Sequence, residues 1–517
     1  MIKTLSLLAL LLLIHPVSAQ NVMISDQSNP NETTIAMDPN HPEILLGAAN
    51  LNNYYISTDT GRTWISRKLT SSYGVWGDPT LVVDTAGDFY FFHLSNPIVN
   101  GHWIDRIVCQ KTTNNGMSWN DGSYTGLNGE KEQDKQWSVV DRTDNTIYLS
   151  WTEFDEYGSA NPDDSSRILF SKSTDAGLSW STPLKINKIS GDCIDSDNTV
   201  EGAVPAVGAN GEVYIAWAGP AGLVFNKSFD KGETWLDHEI HIDPMPTGWD
   251  YHIPGIYRAN GLPITVCDLS NGPHRGTIYV NWSDQRNGAN DTDIWLSKSV
   301  DQGETWTATI RVNDDGPDKQ QFFTWMTIDQ TNGYLYFVFY DRRTHTNYLT
   351  DVFVALSTDG GQTFINRKIS ETPFLPDDGI FFGDYTNITA HNGIVRPIWT
   401  RLHDGELSVW TDLTTEEIIT STKEKDAIND ISFENYPNPS SDDVYVSYKL
   451  RDISKIDLSI LDLNGRVIRK IISNDKRGYG KYIEKIDTEK LDLPVGIYFI
   501  QLKVNEQVKT LRQILIQ

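Results

Sequence analysis

Three short segments in the second half of the chain place arginine beside aspartate. They read SDQRNGANDTD (283–293), YDRRTHTNYLTD (340–351) and TRLHDGE (400–406). A guanidinium binds a carboxylate or a sulfate through paired hydrogen bonds, and a neighbouring carboxylate can move a proton in glycoside cleavage. These residue types therefore indicate a site for an anionic glycan. We expect its anionic group to be held by four arginines: Arg286, Arg342, Arg343 and Arg401.

Carboxylates near these arginines are candidates for the chemical step. We expect Asp341 or Asp384 to transfer the proton, with Tyr385 as a nucleophile or an orienting group. Further carboxylates are expected to contact substrate: Asp284, Asp78, Asp134 and Glu201. Four tryptophans could line a sugar platform, although aromatic residues at strand positions are more often core: Trp76, Trp137, Trp325 and Trp399.

Two other functions stay open at this point. The same loops suit a protein that binds a glycan or a protein without catalysis, and Asp–Arg pairs often only fix the shape of a loop. An acid or base must be an accessible carboxylate with a shifted pKa, so carboxylates that are all locked to arginines would favour binding. A lyase that cleaves uronate polysaccharides would instead need a histidine base, for which His252, His391 and His403 are available.

The elements that position these residues come from an internal repeat. An octet of the form Ser/Thr-x-Asp-x-Gly-x-x-aromatic occurs five times, and a worn sixth copy has Asn in place of Asp. The copies are STDTGRTW (57–64), TTNNGMSW (112–119), STDAGLSW (173–180), SFDKGETW (228–235), SVDQGETW (299–306) and STDGGQTF (357–364). Two strand-like apolar runs precede each octet, and a seventh pair follows the last one. Repeats of this period are typical of four-stranded sheets.

The seventh copy lacks its fourth strand, and the missing strand can be found at the other end of the chain. NVMISD (21–26) resembles the segments that precede the later copies, so we expect it to complete the last sheet. Such closure pairs strand edges that would otherwise stay open. The sequence therefore predicts an all-β fold, a seven-bladed β-propeller over 20–415. The loops that enter the innermost strands would bring one residue per blade to a common mouth: Glu32, Asp78, Asp134, Glu201, His252, Gln320 and Asp384.

The octets match the Asp-box, the hairpin turn between the third and fourth strands of each blade in sialidase-like propellers. With the arginines, they make the chain resemble the sialidase superfamily of glycoside hydrolases. That resemblance implies an arginine triad on the substrate carboxylate, an Asp acid/base and a Tyr nucleophile activated by Glu. Sialidases have six blades, and their Phe/Tyr-Arg-Ile-Pro motif corresponds best to Tyr251-His252-Ile253-Pro254, which lacks the arginine. A glycan-active relative of sialidases is the expectation, with an extracellular glycan as its partner.

The two ends of the chain carry export signals. Residues 1–19 have a charged start, an apolar run and a small-residue cleavage site, which is typical of a secretory signal peptide. After a polar linker (416–430), residues 431–517 resemble the type A C-terminal sorting domain of type IX secretion cargo. The matching residues are Tyr436-Pro437-Asn438-Pro439, the turn at 462–466, Gly496-Ile497-Tyr498 and Lys509. This resemblance implies a small β-sandwich that directs the protein across the outer membrane to the medium or the cell surface.

Composition limits the remaining possibilities. The net charge of -26 lies almost entirely before residue 431 and repels nucleic acid. Three cysteines do not form a disulfide framework; buried free thiols are expected, with a Cys193–Cys267 bridge as the alternative. No segment predicts a membrane span or a cofactor, and a monomer is expected. The acidic loops at 161–164 and 313–318 could hold a structural Ca²⁺, but their spacing is not that of a known calcium motif.

Overall fold

The computed structural model describes residues 21–420 and 433–516, except 451–453, 464, 479, 492 and 506. The expected signal peptide and most of the linker lie outside the described residues. The chain forms two compact units, of which the first ends at Thr420 and the second covers the remainder. Residues 416–420 form a short helix, α1 (Glu416–Thr420), so the first unit extends five residues beyond the expected boundary at 415. Within the described residues, no helix has the length and apolar character needed to cross a membrane.

The first unit consists of seven four-stranded antiparallel sheets. After β1 (Asn21–Ser25), sheet 1 has β2 (Thr34–Met37), β3 (Leu45–Ala49), β4 (Asn53–Ser57) and β5 (Ile65–Lys68). Sheet 2 has β6 (Gly77–Val83), β7 (Phe89–Leu94), β8 (Ile107–Thr112) and β9 (Ser123–Thr125). Sheet 3 has β10 (Glu132–Val140), β11 (Ile147–Phe154), β12 (Ser166–Ser173) and β13 (Leu184–Lys185). Sheet 4 has β14 (Glu201–Val207), β15 (Val213–Gly219), β16 (Gly222–Ser228) and β17 (Ile240–Asp243).

A two-stranded hairpin separates sheets 4 and 5, formed by β18 (Asp250–Tyr251) and β19 (Ala259–Asn260). Sheet 5 has β20 (Ile264–Cys267), β21 (Ile278–Asp284), β22 (Asp293–Ser299) and β23 (Ile310–Arg311). Sheet 6 has β24 (Gln321–Asp329), β25 (Tyr334–Asp341), β26 (Asp351–Ser357) and β27 (Ile365–Lys368). Sheet 7 has β28 (Asn387–His391), β29 (Ile394–His403) and β30 (Glu406–Asp412), and its fourth strand is β1.

The first strands of the sheets form a closed ring. Each of β2, β6, β10, β14, β20 and β24 contacts the first strand of the following sheet, and β28 contacts β2. The N-terminal strand joins the last sheet because Asn21 is paired with Asp412 and Val22 with Thr411 in antiparallel register. The all-β propeller predicted from the sequence is therefore what the chain forms.

Each octet is a hairpin turn between the third and fourth strands of its sheet. In the first copy, the Gly61 N–H donates to Ser57 Oγ (2.9 Å), and the Thr63 N–H donates to Asp59 Oδ1 (2.9 Å). Gly61 has a φ of 85°, which a glycine adopts at no steric cost. The same bonds recur in the other Asp-containing copies and, through Asn114, in the worn one. The Asp side chains of the octets thus make their hydrogen bonds within the turns.

Aromatic residues fill the space between neighbouring sheets. The octet residue Trp119 packs edge-on against Tyr54 of sheet 1 and Phe91 of sheet 2, and Trp235 packs in the same way against Phe170. Trp399, one of the candidate platform residues, is fully buried in the core of sheet 7. All three cysteines are buried free thiols, so the Cys193–Cys267 bridge does not form.

The second unit is a β-sandwich. One sheet contains β31 (Phe433–Tyr436), β32 (Val444–Leu450) and β35 (Gly480–Ile486). The other contains β33 (Ser454–Leu461), β34 (Val467–Arg477), β36 (Gly496–Val504) and β37 (Gln507–Leu515). Alternating buried residues such as Val446, Leu458 and Leu502 form the core between them, as expected for strands with one face on a core. Of the sorting motif, Asn464 lies outside the described residues.

Candidate active site at one end of the propeller axis

The innermost strands begin with a distortion that carries the polar residues of the site. The register of β6, β10, β14 and β24 shifts near the start of each strand. At these β-bulges Asp78, Lys135 and Phe323 have φ values of 51°, 49° and 52°, and Glu32 before β2 has 50°. Such backbone costs a non-glycine residue on the order of 1–3 kcal/mol and is concentrated at functional sites.

Residues from several sheets meet at this end of the ring. We call them the axial cluster, and they comprise six carboxyl groups and two cations: Glu32, Asp78, Asp134, Asp195, Glu201, Asp384, Lys135 and Arg258. Tyr157 and Tyr385 adjoin them. Carboxylates of different blades come close only because the strands around the axis bring them together, so the cluster is a product of the ring closure.

Lys135 is the cation at the centre of one half of the cluster. Its Nζ lies 3.3 Å from Asp384 Oδ2, 3.5 Å from Asp78 Oδ2 and 3.7 Å from Glu32 Oε1. The side chain is only 6% exposed. Burial disfavours its charge, but the carboxylates of Asp384, Asp78 and Glu32 together hold the pKa of Lys135 well above its ordinary value. The ammonium is therefore permanently charged and fully engaged.

Asp384 is a carboxylate of the cluster that is held ionised by two cations. Besides Lys135, it accepts a hydrogen bond from the Arg258 guanidinium, which comes from the loop between β18 and β19. Burial would raise the pKa of Asp384, but Arg258 and Lys135 more than compensate and hold it below its ordinary value. In contrast, burial and the charge of Asp78 raise the pKa of Glu32 well above normal. Neighbouring carboxyls thus have opposite protonation states.

The other half of the cluster is acidic and has few partners; we call it the acidic subsite, formed by Asp134, Asp195 and Glu201. Glu201 is 1% exposed, and neither of its carboxyl oxygens has a hydrogen-bond partner among the described residues. Burial, followed by Asp195 and Asp134, raises the pKa of Glu201 well above its ordinary value. Burial and then Asp78 raise the pKa of Asp134 to about 7. A carboxyl that titrates near neutrality is suited to proton transfer.

Three aromatic rings close the axis beneath the cluster. The ring of Trp137 lies 4.5 Å from that of Trp325 and 5.1 Å from that of Tyr385. The Tyr385 hydroxyl is buried without a hydrogen-bond partner in the described part of the chain. A cavity of about 20 Å³ lies between these rings, Lys135 and Asp384, which is room for about one water molecule. Trp137 and Trp325 therefore form the buried base of the site rather than an exposed surface for a sugar.

An exposed aromatic run leads to the acidic subsite from outside. Trp76 and Trp103 are 37% and 38% exposed, and their rings lie 6.0 Å apart. Trp103 in turn lies 5.7 Å from the ring of Tyr157, whose hydroxyl donates to Asp195 Oδ2 (2.6 Å). Half-exposed indole rings next to carboxyl groups are suited to packing against a sugar ring.

The four expected arginines contact other partners. Arg286 pairs with Asp284 (2.5 Å) and Asp243 (2.7 Å), and Arg343 pairs with Asp341 (2.7 Å). In each case the arginine lies two positions after one of its aspartates, so that pair forms locally within its own loop. Asp341 is not in the axial cluster, although burial raises its pKa to about 6 despite Arg343.

Arg342 and Arg401 also fasten loops. Arg342 Nη1 donates to the Pro254 carbonyl (2.7 Å), and Arg401 Nη1 donates to the Thr372 carbonyl (3.2 Å). None of the four arginines has an ion pair or hydrogen bond to the axial cluster within the described residues. The candidates that the fold does bring together are Asp78, Asp134, Glu201, Asp384 and Tyr385.

The sequence did not point to Lys135, Asp195 or Arg258. The predicted start of the fifth blade was also wrong. His252 was expected at the entry of that blade, but the innermost strand is β20, and residues 250–260 form the extra hairpin. The unusual length of the fifth copy was the available signal. His391 lines the cavity at the other end of the axis, and His403 lies at the turn between β29 and β30, so neither belongs to the cluster.

No group of three or more histidine, cysteine, aspartate or glutamate side chains in the described ranges is spaced to hold a metal ion. In the loop at 313–318, the Asn313 amide bonds directly to Asp293 (2.6 Å) and Asp315 (2.7 Å). A structural Ca²⁺ in the acidic loops stays an untested alternative to solvated turns.

Comparison with known proteins identifies the C-terminal unit. Residues 434–517 match the family model of the secretion system C-terminal sorting domain. The chain is therefore a cargo of this secretion route, which leads to the cell surface or the extracellular space. None of the curated proteins matches the sequence.

Solved structures similar to the chain include sialidases and an arabinanase. Hadza microbial sialidase Hz136 is 15% identical, with 73% of this chain and 74% of that chain covered and a TM-score of 0.40. The NanB sialidase from Streptococcus pneumoniae is 10% identical, with coverage of 72% and 83% and a TM-score of 0.42. Penicillium chrysogenum alpha-L-arabinanase complexed with arabinobiose is 15% identical, with coverage of 69% and 100% and a TM-score of 0.40. At this distance the likeness does not extend to substrate or residue roles.

Proposed function

We propose that the propeller is an extracellular glycoside hydrolase and that the axial cluster is its active site. The observation that carries the proposal is the separation of protonation states among adjacent carboxyl groups. Asp384 is held ionised by Arg258 and Lys135, whereas Asp134 has a pKa of about 7. Pairs of carboxyls whose environments push their pKa values apart supply the acid and the charge-stabilising group of glycosidases.

The roles follow from these states. Asp134 delivers a proton to the leaving oxygen and recovers it from water, because a group with a pKa near 7 is populated in both forms at neutral pH. Asp384 stabilises the positive charge that develops on the sugar ring in the transition state. Trp76 and Trp103 bind the sugar that leads into the site.

The charge of the cluster argues against the anionic substrate expected from the arginines. Even with Glu32 and Glu201 protonated, the charges of Asp78, Asp195 and Asp384 outnumber the two cations, and Lys135 and Arg258 are both occupied by carboxylates. A sialoside, uronate or sulfated sugar would meet net repulsion here, because like charges at short range in a partly buried site cost several kcal/mol. The proposal is therefore narrowed to neutral or cationic glycans.

A glycan-binding protein without catalysis is the competing function. Asp284 and Asp341 are indeed locked to arginines, as that function would predict. Asp134 and Glu201, however, have no ion pair to arginine among the described contacts, and both have raised pKa values. Asp134, whose pKa of about 7 suits proton transfer, favours hydrolysis over binding.

The test is a screen of the full-length mature protein against neutral, amino-substituted, uronate-containing and sulfated glycans and sialosides, with released sugars and binding both recorded. The Asp134→Asn variant is run beside Asp341→Asn, which changes the one of the two carboxyls favoured by the sequence for proton transfer that lies outside the axial cluster. We expect hydrolysis to fall at least about 100-fold in Asp134→Asn and less than about threefold in Asp341→Asn. Loss in Asp341→Asn with full activity in Asp134→Asn would move the site to the sixth sheet. Binding of a glycan without any product would replace the hydrolase by a binding protein.

A further inference from the structure

We propose that the acidic subsite binds a protonated amino group, so that the substrate is a glycan with free hexosamine units. This inference rests on the proposed function, since it names the substrate class of the same site. It is carried by Glu201, whose two unpartnered oxygens lie buried beside Asp134 and Asp195.

A carboxyl group that is almost completely buried and makes no hydrogen bond is costly, because buried polar groups are nearly always paired. Glu201 shares its surroundings with Tyr157, Asp195 and Asp134. The Tyr157 hydroxyl is already donated to Asp195. No donor of the described chain therefore satisfies Glu201, and a donor supplied by a ligand would.

The charges around Glu201 favour a cationic donor. Lys135 and Arg258 are the cations that lower its pKa, but Lys135 is shared among Glu32, Asp78 and Asp384, and Arg258 contacts Asp384 and Asp195. Asp197 and Asp250 add two further carboxylates at the rim, where the Asp250 N–H donates to Asp197 Oδ1 (2.8 Å). Burial, Asp197 and Asp195 raise the pKa of Asp250, so this side of the mouth is acidic throughout.

An ammonium group suits the geometry better than a metal ion. The carboxyls of the acidic subsite are not spaced as a metal-binding group, whereas an ammonium carries three rotatable N–H donors that reach separate acceptors. The adjacent Trp76–Trp103 pair provides a flat apolar surface for the sugar ring that bears the amine. An amino sugar therefore accounts for both the buried carboxyls and the aromatic surface, whereas a lysine side chain accounts only for the carboxyls.

Binding of a cation should release protons. Burial, Asp195 and Asp134 raise the pKa of Glu201, and burial and Asp78 raise the pKa of Asp134 to about 7, whereas an ammonium beside them favours their ionised forms. The charged groups facing them are Asp78, Asp195, Lys135 and Arg258, and the Tyr157 phenol is neutral because burial raises its pKa. We expect about half a proton to one proton to be released per amine bound at about pH 6.5.

The experiment measures binding of glucosamine oligomers and of their N-acetylated counterparts to the full-length mature protein by calorimetry at about pH 6.5. Two buffers with different ionisation enthalpies give the number of protons released. We expect the amine form to bind at least about tenfold more tightly and to release protons. In Glu201→Gln the preference for the amine form over the N-acetylated form should drop below about threefold. Asp195→Asn should weaken the preference in the same direction, which guards against a folding defect in one variant.

The outcomes separate this inference from the proposed function. Hydrolysis of neutral glycans with no preference for the amine would overturn the amine subsite alone. Tight, Glu201-dependent binding of the amine without hydrolysis of any glycan would support the subsite and overturn the hydrolase. A lysine-rich peptide that binds as tightly as the oligomers would overturn the assignment to a sugar. Failure of all glycans to bind or react would overturn both.

Discussion

Replacing Asp134 by asparagine tests whether the site holds a neutral carboxyl. The pKa of Asp134 is raised from 3.8 to about 7, chiefly by burial. Below pH 3.8 the carboxyl is protonated in the folded and unfolded chains alike. Between pH 3.8 and about 7 the unfolded chain loses the proton and the folded chain keeps it, so folding is progressively weakened, and above about pH 7 the loss is complete. The shift corresponds to about 4 kcal/mol at about 1.4 kcal/mol per pKa unit.

Asparagine removes this pH dependence at little cost in shape. Its side-chain oxygen can still accept the Lys135 N–H bond, which is 2.8 Å long in the native protein. The variant should therefore gain about 4 kcal/mol relative to the native protein between about pH 4 and about pH 8. For a unit of about 400 residues, unfolding entropy is about 0.8 kcal/mol/K. The Tm of the variant minus the Tm of the native protein should therefore be larger at about pH 8 than at about pH 4, by about 5 °C.

Tryptophan fluorescence is the appropriate assay because all 16 tryptophans precede residue 431 and report only the propeller. Tm is measured for both proteins at about pH 4 and about pH 8. Asp59→Asn is the control of opposite sign, because hydrogen bonds from Thr63 lower the pKa of Asp59 although burial opposes them. That variant should lose more stability at the higher pH than at the lower one. A Tm difference for Asp134→Asn that is equal at both pH values would refute the neutral carboxyl and with it the proton donor.

Three further outcomes follow from the same structure. Hydrolysis that uses protonated Asp134 should decline as the pH rises through about 7, and a pH–rate profile flat from about pH 5 to 9 would contradict this role. Lys135→Met leaves three carboxyl groups, among them the ionised Asp384, without their shared cation and should destabilise the propeller by about 3–5 kcal/mol at about pH 8 and by less at about pH 4, as measured by denaturant unfolding. Gly232→Ala adds a Cβ 2.3 Å from the ring of Phe170 and should cost about 3 kcal/mol. Gly158→Ala has a similar positive φ but meets nothing within 4 Å, so it should cost only about 1 kcal/mol, and equal losses would refute the clash.

The sequence by itself determined the features that depend on local chemistry. An Asp side chain bonds to amides four residues later, and a glycine takes the positive φ that the turn needs, so the octets mark their own hairpins. The alternation of apolar and aromatic runs predicted the strands, and the segment NVMISD could be matched to the last sheet by its pattern. The sorting domain was recognisable because several of its motifs lie in order within residues 434–517.

Only the tertiary structure decided which polar residues form the site. Arg286 and Arg343 stood out in the sequence, but each pairs with an aspartate two residues earlier. Because of that local pairing, their guanidinium groups are not free to bind a substrate. Lys135, Asp195 and Arg258 carry no motif, and their roles arise from neighbours on other blades. Ring closure brings their charges together in a buried volume, where desolvation and Coulomb interaction shift pKa values that a sequence pattern cannot encode.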